Sequence, residues 1–144
     1  MKGKEIGVIK ELRRNSRTSF TELGRVVDTP VSTIVKVIEK FRKKAVIKRY
    51  ASLVDFAVLG FPLKSVFLIK TNQKGRVKEF LMNQDSLNTL YRLSGDYDFY
   101  AEHLFSDMAS HTDFVDGLME LDVIKVSTHF LTGVKEEAFE IGVV

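Results

Sequence analysis

Residues 28–41, Asp28-Thr29-Pro30-Val31-Ser32-Thr33-Ile34-Val35-Lys36-Val37-Ile38-Glu39-Lys40-Phe41, decide how the rest of the chain is read. Thr29 has the hydroxyl of a helix N-cap, and Pro30 suits the first helical position, where a missing N–H costs nothing. Ile34, Ile38 and Phe41 recur at i, i+4 and i+7, the stripe that faces a core. Ser32, Thr33, Lys36 and Lys40 fall off that stripe. Hydroxyls and amines are groups that read base edges and hold phosphates. The segment therefore reads as the second helix of a helix-turn-helix, against the plainer alternative of an amphipathic helix with a solvated lysine face.

The preceding residues favour the first reading. Ile6, Val8, Ile9 and Leu12 predict a short amphipathic helix interrupted by Gly7. Asn15 and Ser16 stop it. Ser19, with Glu22 three residues later, predicts a capping box, and Phe20, Leu23, Val26 and Val27 are the expected buried side of the next helix. Asp28-Thr29 is then a very short connection, so three helices in this order predict a tri-helical DNA-binding unit. After Phe41, the run Ala45–Ala51 is rich in β-formers and is expected to pair as a small wing. Lys43, Lys44, Lys48 and Arg49 would hold phosphates from the helix end and the wing, which fixes register without reading sequence.

Charge divides the chain the same way. Residues 1–50 carry 14 Lys/Arg against 5 Asp/Glu, and residues 51–144 carry 8 against 14. A basic half beside an acidic half predicts that only the first meets a polyanion. The chain has 144 residues, room for two small domains, and no cysteine, which excludes disulfides and thiolate metal sites. No apolar run reaches the roughly 18 residues of a membrane span. The start lacks a signal-peptide core, so the expected compartment is the cytoplasm. His103, His111 and His129 are scattered without metal-ligand spacing, and no cofactor is expected.

These residues resemble a known family. Asn15, Arg17, Ser19, Glu22 and Leu23, then Val31 to Ile34, then Val46, Ile47, Tyr50 and Ala51, then Asp55 with Leu59-Gly60, are similar to the winged helix-turn-helix of Lrp/AsnC transcription regulators. The chain departs from that pattern at Asp28 and Ala45, where the family usually has glycine. It departs again at Val37, where an arginine is common. The resemblance implies DNA contacts from Ser19, Thr29, Val31, Ser32, Thr33, Lys36, Lys40, Lys43, Lys44, Lys48 and Arg49.

Gly60 and Pro62 punctuate a boundary, so the expected division is 1–54 for DNA binding, 55–62 as a hinge and 63–144 as a second domain. In the latter, strands are predicted over Leu63–Thr71, Asn88–Ser94, Asp98–Phe105 and around Ile124–Phe130. Helices are predicted over Gln73–Met82 and after Ser106 or Asp107, the second burying Met108, Phe114, Val115 and Leu118. The order β-α-β-β-α-β is a ferredoxin-like plait, which makes the whole chain α+β. Apolar residues on both strand faces, such as Phe67 beside Leu68, call for a partner on the open face, and a symmetric dimer is the simplest one.

Tyr91, Gly95, Asp96, Tyr97 and Asp98 resemble the signature of the same family's effector (RAM) domain. That resemblance implies homodimers, further assembly to tetramers or octamers, and a small ligand, commonly an amino acid, near the glycine turn. Gly95, Asp96, Tyr97, Asp98 and Thr128 are the implied effector residues. Turn chemistry alone also accounts for Gly95 and the aspartates. Leu121-Asp122-Val123 departs from the family's Pro-Gly-Val. The expected function is thus a sequence-specific DNA-binding regulator without catalytic residues. Two alternatives remain at this stage. One is an enzyme like the sirohaem decarboxylases, with His103 and His129 converging across the sheet. The other is a DNA-coating protein of low sequence choice.

Overall fold

A computed structural model describes residues 3–135. The ends expected to close the two domains, residues 1–2 and 136–144, lie outside the described residues. The chain separates into two compact units, the first running through Leu53 and the second covering Val54–Val134.

The first unit contains α1 (Gly3–Arg14), α2 (Phe20–Val26) and α3 (Val31–Lys43). Its core is Val8 and Leu12 of α1, Leu23 of α2, and Ile34, Ile38 and Phe41 of α3, closed by Ile9, Val27, Val37 and Ile47. The α3 stripe is buried as its spacing predicts. Ser19 caps α2, accepting from the Glu22 amide at 3.1 Å. The other half of the expected box does not form, because the Glu22 carboxylate takes a two-pronged contact from Arg25, at 2.6 and 3.1 Å. That guanidinium also holds the Glu22 carboxyl below its ordinary range.

Three details differ from the sequence reading. Phe20 and Val26 are 44% and 49% exposed. With only seven residues, α2 offers its core little more than Leu23 and Gly24. Thr29 does not cap α3: Pro30 takes the N-cap position with ψ 141°, so Thr29 sits one residue too early. Its hydroxyl donates back to the Val27 carbonyl at 3.1 Å. The 45–51 segment forms no strand among the described residues. Ala45 turns the chain at φ 52°, and the Val46 and Ile47 amides bond back to the Phe41 carbonyl, at 2.9 and 3.2 Å. β-forming residues make a wing only when another strand takes up their ladder groups.

The second unit is the expected plait. Strands β1 (Leu63–Thr71), β2 (Leu87–Arg92), β3 (Phe99–Phe105) and β4 (Val123–Phe130) form one antiparallel sheet in the order β2-β3-β1-β4. Helices α4 (Lys74–Met82) and α5 (Met108–Met119) supply Val77, Leu81, Phe114 and Leu118 to the core over Phe67, Ile69, Phe99, Ala101 and Phe105. Asp107 caps α5 by accepting from the Ser110 amide at 2.8 Å. Met108, expected in the core, is 53% exposed. In the first turn of α5 it precedes the residues that reach the sheet, which begin at His111.

Candidate nucleic-acid interface and glycine-turn site

The turn between α2 and α3 is set by a backbone approach. The Thr29 amide donates to the Gly24 carbonyl at 2.8 Å. Asp28 makes the reversal at φ 48°, and the Lys4 ammonium contacts the Asp28 carbonyl. This geometry leads the chain into α3, on which Val31, Ser32, Thr33, Lys36 and Lys40 are all exposed. Lys43, Lys44, Lys48 and Arg49 are exposed as well. No carboxylate pairs with Lys36, Lys43, Lys44, Lys48 or Arg49 among the described residues. Lys40 differs, since its ammonium meets Glu5 of α1 at 2.6 Å. Lys36, Lys40, Lys43 and Lys44, with Glu39, line a shallow notch of about 260 Å³. Val37 is half-buried, packed on the edge of the core beside this row. Of the remaining expected contacts, Ser19 is exposed with its hydroxyl used as a cap, and Thr29 is half-buried.

In the second unit the glycine turn is drawn tight. Gly95 has φ 103°, a conformation L side chains rarely adopt. The Leu93 amide donates to the Asp98 carbonyl at 2.8 Å, and the Asp98 amide donates to Ile69 at 2.8 Å. The Asp98 carboxylate accepts from the Lys74 ammonium at 2.8 Å and from the Thr71 amide at 2.9 Å. Lys74, then Thr71, hold its pKa below the ordinary carboxylate value. Asp98 thereby fastens the end of β1 and the start of α4 to the turn, while Asp96 stays exposed. Lys125 of β4 lies 5.2 Å from the centre of the Tyr97 ring. Thr128 is not part of this group. It pairs with Phe67 in the β1–β4 register, on the helix-bearing face, while the turn residues adjoin Ile69. Lys74, Thr71 and Lys125 went unnoticed in the sequence because only the sheet register carries them to the turn.

The histidines do not converge as the enzyme reading requires. His103 pairs with Ser65 and His129 with Val66, consecutive residues of β1, so they lie on opposite faces. His103 is buried among Phe67, Phe105 and Phe114, with Nδ1 2.8 Å from the Ser86 hydroxyl. Burial lowers its pKa to about 4. His111 stacks on Phe67 at 5.6 Å, and burial lowers its pKa too. Among the described residues there is no group of three or more His, Cys, Asp or Glu able to hold a metal ion, and no helix is long and apolar enough to cross a membrane.

Comparison with known proteins agrees with this geometry. No family model matches the sequence. An HTH-type transcriptional regulator of Pyrococcus horikoshii is 30% identical over 116 residues, 77% of this chain and 75% of the relative. The fold matches an AsnC family transcriptional regulator from Agrobacterium tumefaciens with a TM-score of 0.85 at 20% identity, over 99% of this chain and 97% of that one. It also matches a Neisseria meningitidis transcriptional regulator solved with L-Met, with a TM-score of 0.86 at 17% identity, over 99% and 96% of the two chains. The tri-helical unit and ferredoxin-like plait match these folds, and the 30% identical relative places the chain among HTH-type transcriptional regulators. The chain belongs to the Lrp/AsnC family.

Proposed function

We propose that this protein is a sequence-specific DNA-binding regulator that works as a homodimer, or a multiple of one, in the cytoplasm. Residues 1–54 contact DNA, 55–62 act as a hinge, and 63–144 carry assembly and effector binding. One observation carries the reading: an exposed row of hydroxyls and unpaired lysines on a helix whose opposite face is locked into a core. α3 enters the major groove. Ser32, Thr33 and Lys36 meet base edges there, with Val31 against apolar base surface, and Lys43, Lys44, Lys48 and Arg49 hold phosphates. Ser19, Thr29 and Lys40 complete the backbone contacts.

Dimerisation is supported by what is left uncovered. The helix-free sheet face carries the exposed Tyr91 and the half-buried Leu68, Tyr100 and Leu104 beside a Lys64–Glu102 ion pair at 3.2 Å. Leu53, Val54, Val58, Leu59 and Phe61 are exposed in the segment before β1. A two-fold dimer presents two α3 helices to half-sites one helical turn, or a multiple of one, apart. Tetramers and octamers extend the same assembly. An amino acid effector fits the glycine turn: backbone N–H groups near Gly95 take the carboxylate, and Asp96 takes the ammonium, since Asp98 is already engaged. Tyr97 supplies apolar contact. Thr128 reaches such a ligand only from another copy or after rearrangement. The L-Met complex of the Neisseria meningitidis regulator supports an amino acid as the ligand class.

The test is fluorescence anisotropy with a duplex from the protein's own upstream region against a random duplex, over a salt series and with amino acids added. Salt-dependent binding that prefers the native duplex is expected. Equal affinity for both duplexes would identify a DNA-coating protein instead, and absence of binding at low salt would remove the reading altogether.

A further inference from the structure

α4 and the edge strand β2 enclose a groove of about 520 Å³, within the range of small-molecule sites. Its apolar lining is Leu87 and Leu90 of β2, Phe99 of β3 and Met82 of α4. Its polar lining is Lys74, Lys78 and Arg92, and no carboxylate lines it. This is unlike the rest of the acidic half, where cations are outnumbered.

The placement follows from periodicity. Lys74, Lys78 and Met82 stand at i, i+4 and i+8 and share one face of α4. Leu90 pairs with Ala101 and Arg92 with Phe99, so both β2 residues are directed to the helix-bearing side of the sheet. Lys74 is held by Asp98 at 2.8 Å. Lys78 and Arg92 are exposed and have no carboxylate partner among the described residues. An apolar floor rimmed by two uncompensated cations selects a ligand with an apolar body and one negative end. Arg92 offers a two-pronged fork to a carboxylate, and Lys78 adds a second charge.

We propose that this groove binds a small free apolar monocarboxylate, with its chain on Leu87, Leu90, Phe99 and Met82 and its carboxylate between Lys78 and Arg92. The groove adjoins the amino acid site proposed at Gly95–Asp98 through the Lys74–Asp98 pair, but its ligand-holding residues are different ones. None of the four turn residues lines the groove, and the groove has no acid to receive an ammonium. It therefore discriminates against zwitterions, which the glycine turn accepts.

The experiment is calorimetric titration of the full chain, without DNA, with hexanoate, hexylamine and hexanol, together with amide chemical-shift mapping. Hexanoate is expected to bind and to shift the amides of Lys78, Leu90 and Arg92. Hexylamine and hexanol are expected to bind at least tenfold more weakly. Butyrate, hexanoate and octanoate should gain affinity by about fourfold per buried methylene. A Lys78→Gln/Arg92→Gln variant should lose at least tenfold in hexanoate affinity with an unchanged far-UV spectrum and melting curve, since both side chains are exposed. Equal binding of acid and amine would overturn the proposal, as would hexanoate shifts confined to Gly95–Asp98. A double variant that binds hexanoate like the wild type would also overturn it. So would a wild type that ignores hexanoate while the double variant loses self-association, because the groove would then belong to an acidic segment of another copy.

Discussion

Gly24 and Thr29 meet backbone to backbone: a Cβ at position 24 would lie 2.7 Å from the Thr29 carbonyl oxygen. The obstacle is main chain, pinned by the Thr29 amide on the Gly24 carbonyl, so it cannot swing aside as a side chain would. Gly24→Ala must therefore push α3 away from α2. Overpacking of this kind costs about 1–3 kcal/mol. The expected outcome is a lower urea midpoint together with weaker DNA binding, followed by circular dichroism and anisotropy. An unchanged midpoint would mean that the turn is not held by this contact.

The Glu5–Lys40 pair sets one cation of α3 apart from its neighbours. Each phosphate contact contributes about −0.9 to the slope of log affinity against log salt. Lys36→Ala should thus flatten that slope by about one. Lys40→Ala should flatten it by less, because the pair with Glu5 competes for the ammonium. Glu5→Gln should do the reverse, raising affinity at low salt and steepening the slope. A flatter slope in Glu5→Gln would show that Lys40 needs its partner to reach the DNA.

Two core histidines give the second unit a pH dependence with a definite sign. Burial lowers the pKa of His103 to about 4, while in the unfolded chain it is the ordinary 6.5. Between those values the unfolded state binds more protons, so stability is complete above pH 6.5 and declines as pH falls toward 4. The shift corresponds to roughly 3 kcal/mol at full extent. His111 moves the same way. The lowered carboxyls of Asp98 and Asp107 act in a more acidic window, below the ordinary aspartate value of 3.8. Urea midpoints measured from pH 7 to 4.5 should fall steadily in the wild type and fall less in His103→Phe.

Asp96 and Asp98 should separate into two roles. Asp98→Ala removes the link among Thr71, Lys74 and the turn and should lower the unfolding midpoint of the second unit. Asp96→Ala should leave that midpoint unchanged and reduce the response of DNA binding to amino acids. If Asp96→Ala leaves that response intact while Asp98→Ala abolishes it without loss of stability, the roles are reversed.

Much of the fold could be read from residue spacing. β1 was legible because a nearly continuous apolar, β-forming run follows the Gly60 and Pro62 boundary, and Ile34, Ile38 and Phe41 because helical period and burial coincide. Asp107 was legible as one of two adjacent cap candidates. The misplaced details share a cause. Whether Phe20, Val26 and Met108 are covered depends on which neighbouring element reaches them, and local pattern does not encode that. A wing needs a partner strand, and Ala45–Ala51 carries only one side of that requirement. At the glycine turn the motif identified Gly95 to Asp98, but Lys74, Thr71 and Lys125 arrive through register. The groove between α4 and β2 was illegible for the same reason: Lys78 and Arg92 stand on different elements, and only folding brings them to one groove.

Asp28, Ala45 and Asp122 all hold positive φ, at 48°, 52° and 56°. All three are among the positions where the sequence departs from the glycines of the pattern it resembles. Each such residue stores about 1–2 kcal/mol of conformational strain, less for aspartate than for alanine. Ala45→Gly should therefore raise the unfolding midpoint, and by more than Asp28→Gly or Asp122→Gly; a lowered midpoint would show that the freedom glycine gives the unfolded chain outweighs the relief. Asp28 and Ala45 lie beyond opposite ends of the 13-residue α3, about 20 Å of helix, and Asp122 belongs to the second unit, so their increments should add. In protein-engineering terms they are a reserve of thermal robustness, available without touching a core residue, the lysine row or the glycine turn.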